Sequence, residues 1–373
     1  MTDKRPSLSQ LRRRVDQADR EIAAAIGRRL ELAAAIGRTK SRTHAPLRDF
    51  ATEERVLARW RKRLDAAGVV RPRSEALARW LIEESLRVQE SIPRPVCPPR
   101  PRAQRVGIVG GAGGMGRWLD GFLRDAGHEV RILDPRAPPG STRALASVEE
   151  AMDECDIVAF ATPIRATAPL MERALRQRSE AVLFDVLSVK APIARLLRAA
   201  SRRGQRVTSV HPMFGPSART LSGRNLLLVS CGVPEADRQV RSLFSHSALT
   251  LTEVPFDRHD RLIAESLALA HAVNLLFLSA LASDPLTPHD LAAAASTTFH
   301  RQSSLAAAVA REGPELYFDI QSLNPHSTEV YAELRAALDR LAGIVRRRDL
   351  PEFHRLLDAG RAKIEPGPEP MRA

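Results

Sequence analysis

Gly111, Gly113 and Gly116 stand in the run Gly111-Ala112-Gly113-Gly114-Met115-Gly116, a G-x-G-x-x-G spacing that can hold a pyrophosphate. In such a run the first glycine permits a tight turn. The second lets the backbone approach the phosphates, and the third lets a helix pack closely on a strand. The anion then rests on unpaired N–H groups at the helix start, Met115 included, where the helix dipole favours it. Glycine runs are common, so the context decides. Here 105–109 reads as an apolar strand, 115–126 as a helix and 129–133 as a second strand, and Asp134 ends that strand 23 residues after Gly111. A carboxylate there can accept the ribose 2′-hydroxyl and repels a 2′-phosphate, so NAD is expected over NADP. Arg136, two residues on, pulls the other way.

The elements that must position these residues can be read from composition. Five prolines fall in the nine residues from Pro93 to Pro101, a run that neither continues a helix nor joins a sheet. Residues 92–104 are therefore a linker between an all-α domain, 1–91, and a region of mixed strands and helices. In the first domain Leu8, Leu11, Val15, Ala18, Ile22, Ile26, Leu30, Ala33 and Ile36 recur at helical spacing, after a capping box from Ser7 to Gln10. This helix should run to about Lys40 and be ~50 Å long. That is more than such a small domain can cover, so an intertwined homodimer is expected. Shorter helices should occupy 49–66 and 73–90. From 105 to 255 strands (also 156–161, 181–186, 206–210 and 225–230) alternate with helices, which predicts a doubly wound, largely parallel sheet of the Rossmann type. Residues 256–363 are Ala/Leu-rich and helical, and 364–373 should form a disordered tail. Ser266–Ala282 is uncharged for 17 residues but contains His271 and Asn274. It falls short of the ~20 residues of a span, so a buried helix is expected and no membrane association.

The formal charge is +13, which raises the question of nucleic acid. Only five of the 57 basic residues are lysine, and the arginines are spread along the whole chain. Aromatic residues make up 4%, too few for a base-stacking platform. Small polyanionic substrates suit the charge better, and no nucleic-acid partner is expected. Cys97, Cys155 and Cys231 have no C-x-x-C spacing, which argues against disulfides and structural zinc. No metal site is expected. The N-terminal MTDKRPSLSQ lacks the apolar core of a secretory signal, so the expected location is cytoplasmic.

His211-Pro212-Met213-Phe214-Gly215-Pro216, preceded by Asp185-Val186-Leu187-Ser188-Val189-Lys190, resembles the prephenate dehydrogenase family. The helical N-terminal region resembles the chorismate mutase family. Their order resembles the bifunctional mutase–dehydrogenases of bacterial tyrosine biosynthesis over nearly the whole chain. The resemblance implies an all-helical C-terminal dimerisation domain, NAD as cofactor, chorismate and prephenate as substrates, and tyrosine as a feedback inhibitor. In prephenate a hydroxyl-bearing carbon gives up hydride while carbon dioxide leaves, so a base, a cation and a dry pocket are required. The resemblance makes His211 the base. Ser188 would bond the same hydroxyl or orient His211, with Lys190 in the same loop. His259, in an H-D pair opening a helix, and His271 match two further family positions. Twelve residues of regular helix would set them ~120° apart, with His271 the one to reach the substrate's side chain. Arg301 matches a carboxylate-gripping arginine and Tyr317 a pocket-lining aromatic.

Rearranging chorismate needs no proton transfer, only a held conformer and donors for charge developing on the breaking ether oxygen. Arg29 and Lys40, 11 residues apart, are ~20° from three full turns and share a helix face. Asp49/Glu53 and Ser85/Gln89 are same-face i,i+4 pairs. By resemblance Arg12 and Arg29 hold carboxylates, Arg12 from the other subunit. Lys40 and Gln89 meet the ether oxygen, Glu53 the ring hydroxyl and Ser85 a carboxylate, with Asp49 a secondary contact. Where the family has an arginine before the glutamate this chain has Thr52, with Arg55 three residues on. That departure leaves open a prephenate or arogenate dehydrogenase whose helical domain serves dimerisation or regulation.

Overall fold

The computed structural model describes residues 7–43, 50–92, 103–137, 143–218, 221, 224–245, 247, 249–283, 285–311 and 313–364. Ile364, the first residue of the expected disordered tail, is helical, while 365–373 and most of the Pro-rich linker lie outside these residues. The chain divides into two compact units, Met1–Ser188 with Pro192–Phe256, and Val189–Ala191 with Asp257–Ala373.

The first unit begins with three helices, α1 (Leu8–Thr43), α2 (Phe50–Asp65) and α3 (Arg71–Glu90). The capping box forms as expected: Ser7 N donates to Gln10 Oε1 at 2.7 Å and Gln10 N to Ser7 Oγ at 3.2 Å. Gly68, at φ +78°, turns the chain after α2, and Pro72 sits in the first turn of α3, where its missing N–H costs nothing. Helix α3 packs on both α1 and α2, burying Ala33, Leu57, Ala78 and Leu81. Arg29 meets Leu81, and eight residues later Gly37 meets Gln89, eight after Leu81. The equal offsets mean that α1 and α3 run side by side in the same direction. Residues 7–25 of α1 are exposed throughout, including Leu8, Leu11, Val15 and Ile22.

Strands and helices then alternate: β1 (Arg105–Val109), α4 (Gly114–Asp125), β2 (Glu129–Leu133), α5 (Val148–Glu154), β3 (Ile157–Phe160), α6 (Ile164–Ala174), β4 (Val182–Asp185), α7 (Ala191–Arg202), β5 (Ser209–Pro212), β6 (Asn225–Ser230), α8 (Pro234–Phe244) and β7 (Thr250–Pro255). The order β2-β1-β3-β4 is parallel throughout. A bridge from Leu183 to Val207 leads on to β5-β6-β7. The sheets are largely parallel as expected, the exception being β5, which is antiparallel to β6. A parallel return needs a crossover, usually helical, and residues 213–224 contain no helix among those described. The core joins Ile108, Leu119, Leu123, Val130, Ile157 and Phe184 across the sheet face.

The second unit is helical: α9 (Phe256–Ile263), a wider π turn over Ala264–Ala268, α10 (Leu269–Ala282), α11 (Pro288–Ala293), α12 (Thr297–Ala310), α13 (Pro314–Leu323), α14 (Ser327–Arg347) and α15 (Leu350–Ile364). Phe256–Ala282 is one continuous helix of mean hydropathy 1.6, and only 28% of its most apolar window is buried. The expectation of a buried helix is therefore wrong for the single chain. Helices α12 and α14 pack against α10, yet Val273, Leu275 and Leu276 remain exposed. By length and composition this helix could cross a membrane.

Candidate functional site

The glycine turn is shaped by what cannot fit in it. A Cβ on Gly116 would collide with Gly110 O, and one on Gly111 with Ile132 Cγ2. The tight turn itself is made by Gly110, at φ +88°, one residue earlier than the spacing suggested; Gly111 serves instead for close packing on β2. Gly113 caps α4. Asp134 Oδ2 accepts from Ala112 N at 3.0 Å, and Oδ1 accepts from Arg136 N at 2.9 Å and Nε at 3.3 Å. Burial pushes the Asp134 carboxyl up, but these hydrogen bonds outweigh it and hold the group below the usual carboxylate range. A bare backbone cradle at a helix start with a charged carboxylate beside it fits a dinucleotide. Gly111, Gly113, Met115 and Gly116 would hold its pyrophosphate and Asp134 its ribose.

His211 is the third residue of β5, opposite Leu227 of β6, and is 3% exposed. The loop after it docks on the cofactor helix. Phe214 meets the Trp118 ring edge-on at 5.0 Å, and Pro216 Cγ would lie 2.9 Å from a Cβ on Gly114. The motif that carries the histidine is thus fixed to the helix that opens the dinucleotide turn. Ser188 is half-buried beyond Asp185, whose Oδ1 accepts from Leu187 N at 2.9 Å and so bends the chain at the end of β4.

In the second unit, Lys190 is 1% exposed. Its backbone N–H donates to Asp260 Oδ1 at 2.8 Å, and that of Ala191 to Asp260 Oδ2 at 2.7 Å. His259, fully buried, pairs its Nδ1 with Asp260 Oδ1 at 2.7 Å. Burial raises the Asp260 carboxyl, but the bonds from His259, Lys190 and Ala191 leave it net lowered and charged. Sequence reasoning gave Asp260 no role. The dipeptide was visible, but the two backbone N–H groups that Asp260 accepts from lie 70 and 69 residues away. Asn324 was missed as well; its Nδ2 donates to Asp260 O at 2.7 Å.

The π turn corrects the expected angle between the two histidines. A π turn inserts one residue into a helix, so twelve residues count as eleven, about 20° from three full turns. His259 and His271 therefore share a face rather than standing ~120° apart. Gln321 Nε2 donates to Ala268 O at 2.9 Å and so satisfies a carbonyl of the widened turn. His271 meets the Tyr317 ring edge-on at 4.3 Å. Its Nδ1 is buried and has no hydrogen-bond partner. Burial lowers its pKa to about 4, so the imidazole is neutral at pH 7. Arg301, on α12, is exposed rather than packed with them.

In the N-terminal helices, one Arg29 amino group donates to Ser85 Oγ and, at 2.5 Å, to Leu81 O. Burial lowers the Arg29 pKa from its usual value. Gln89, one turn beyond Ser85, is 9% exposed and its Oε1 has no partner. Lys40 is half-buried on α1. These four are brought to one side of the α1–α3 pair. Arg12 is not: it is exposed, and 17 residues of helix set it about 26 Å from Arg29 along the axis. Asp49 and the Glu53 side chain lie outside the described residues. At the departure from the family pattern, Arg55 donates to Thr52 Oγ1 at 2.8 Å.

Comparison with known proteins agrees with this division. Residues 11–90 match the family described as chorismate mutase type II. Residues 142–229 match prephenate dehydrogenase, nucleotide-binding domain, and 255–359 prephenate dehydrogenase, dimerization domain. The T-protein of Enterobacter agglomerans is 28% identical over 315 residues, 84% of this chain and 81% of that one. The 4-amino-4-deoxyprephenate dehydrogenase of Streptomyces pristinaespiralis is 33% identical over 264 residues, covering 66% of this chain and 86% of that protein. Among solved structures, prephenate dehydrogenase from Aquifex aeolicus with hydroxyphenyl propionate and NAD+ superposes with a TM-score of 0.58 at 20% identity, over 71% of this chain and 99% of that one. Synechocystis arogenate dehydrogenase gives 0.57 at 22%, over 69% and 98%.

The unpaired His271 makes a pH-dependent prediction. The unfolded chain protonates this imidazole near pH 6.5 and the folded chain only near pH 4. Folded stability should therefore be full above pH 6.5 and fall as pH drops through that window. Denaturant titrations at pH 7 and pH 5 should show a smaller loss for His271→Gln than for the unaltered chain. An equal loss would mean that His271 is not held neutral by burial.

Proposed function

The chain belongs to the bifunctional chorismate mutase/prephenate dehydrogenase family, and from that premise we infer that it rearranges chorismate to prephenate and oxidatively decarboxylates prephenate to 4-hydroxyphenylpyruvate with NAD, in tyrosine biosynthesis. The observation that carries the dehydrogenase is the docking of Phe214 and Pro216 onto the helix that opens the glycine turn, which ties the His211 motif to the cofactor cradle. Bound NAD supplies the acceptor for the hydride that leaves the substrate. His211 takes the hydroxyl proton as general base. Ser188 orients that hydroxyl, and Lys190, buried on the loop that Asp260 holds, supplies positive charge where water is excluded. Arg301 grips a carboxylate with its two-pronged guanidinium. Neutral His271 offers its Nδ1 to the side chain, with Tyr317 against it.

For the mutase, the supporting observation is the row Arg29, Ser85, Gln89 and Lys40 on parallel helices. Arg29 and Ser85 bind carboxylate, while Lys40 and the Gln89 amide meet the ether oxygen. Glu53 takes the ring hydroxyl, with Asp49 beside it. Arg12 lies too far along α1 to reach its own row, so we assign it to the row of a second copy. The same homodimer accounts for the exposed apolar residues of α1 and α10. Tyrosine, which keeps the aryl ring and three-carbon chain of the product, is the expected feedback inhibitor. The cytoplasm is the expected location.

Three variants test these assignments. His211→Asn should lower dehydrogenase turnover by about 10²–10⁴-fold with NAD affinity and mutase turnover unchanged; equal losses in both activities would reject the base assignment. Lys40→Ala should remove about 3 kcal/mol of transition-state stabilisation from the mutase. Heterodimers of Lys40→Ala with Arg12→Ala should regain mutase activity, because one of their two sites holds neither lesion. Verified heterodimers that stay inactive would reject the shared site.

A further inference from the structure

Glycine inside a helix is destabilising relative to alanine, so each one in α1 calls for a packing reason. Gly27 shows none, with nothing within 4 Å of a Cβ placed on it. Gly37 is different. It is buried, and a Cβ there would lie 2.7 Å from Ile92 Cδ1, 3.0 Å from Gln89 Cα and 3.1 Å from Gln89 Cγ. The Ile92 methyl is the end of a flexible side chain and can swing aside. The Gln89 Cα is backbone and can retreat only if α3 moves. Lys40 is three residues after Gly37 and so on the same face of α1. Gln89 is buried, and of its two amide atoms only Nε2 can donate to the ether oxygen.

We propose that Gly37 is a positioning residue of the mutase: having no side chain, it lets α3 approach α1 closely enough to set the Gln89 amide level with Lys40. This rests on the mutase reading given above. Alanine at 37 pushes the α3 backbone away from Lys40 while leaving both functional side chains in the chain. Misplacement by a fraction of an ångström acts on the transition state, where the developing charge must be met in a fixed geometry, and less on binding of the ground state.

The test measures mutase kcat and KM for Gly37→Ala, Gln89→Ala and the double variant, with dehydrogenase turnover of prephenate followed in the same preparations. Gly37→Ala should lower mutase kcat by about 10–100-fold, with KM changed by less than about threefold and dehydrogenase turnover unchanged. In the Gln89→Ala background it should cost nothing further, since a residue that acts only through Gln89 is fully coupled to it. An unchanged kcat, or the same loss with and without Gln89, overturns the proposal. If Gly37→Ala unfolds the helices, seen as lost ellipticity, Gly37→Ala/Ile92→Ala relieves the softer contact and leaves the backbone one. That variant must fold and keep the kcat loss, and full recovery overturns the proposal. An unaltered chain that leaves chorismate unchanged sinks the mutase reading itself, a result distinct from either of these.

Discussion

Both activities act on small anions carrying more than one charge, and a buried polar group meant for such an anion must stay unpaired until the anion arrives. Each such group costs about 1–3 kcal/mol of stability while it waits. His271 Nδ1 is buried and unpaired in this way. The Gln89 Oε1 is also unpaired, but it only accepts, so the donor that Gln89 can offer an anion is its Nε2. Gln89 is held by close packing of two helices at Gly37. His271 is held by the Tyr317 ring and by a helix whose widened turn is satisfied from Gln321.

Asp260 and Arg29 are treated in the opposite way, each given hydrogen-bond partners. The Asp260 carboxylate accepts two successive backbone N–H groups and faces a histidine nitrogen. It therefore fixes the loop carrying Lys190 by bonds to the backbone, and leaves the lysine's own contacts to be made separately. Arg29 is anchored on Ser85 and a carbonyl, which holds its planar head in one orientation before any carboxylate binds. Preorganised donors of this kind need no rearrangement during the reaction. The α1–α3 helix pair and the loop that Asp260 holds use the same physical device.

Much of this was legible in the sequence because it depends on short spacings. The three helices before the linker, the strand–turn–helix–strand around Gly111 and the shared face of Arg29 and Lys40 all come from local periodicity. What failed depended on contacts or on irregular backbone. Gly110, not Gly111, makes the turn, since only the packing of Ile132 shows which glycine lacks room for a side chain. The angle from His259 to His271 assumed a regular helix, and one inserted residue changes it by about 100°. Asp260 went unassigned because the backbone N–H groups it accepts from are distant in the chain. The strand pattern carries no direction, so the largely parallel sheet was legible but not that β5 is its antiparallel member. The apolar helix at 256–282 was read as buried, although a single chain leaves much of it uncovered.

The central claim is that one chain carries two separate catalytic sites joined by a common intermediate. It is tested most directly by supplying chorismate with and without NAD and monitoring prephenate and 4-hydroxyphenylpyruvate separately. The account predicts that prephenate accumulates and stays when NAD is absent. With NAD, 4-hydroxyphenylpyruvate should form after a lag set by the prephenate level. Untouched chorismate alongside ready oxidation of added prephenate would contradict the claim and leave the N-terminal helices without a reaction.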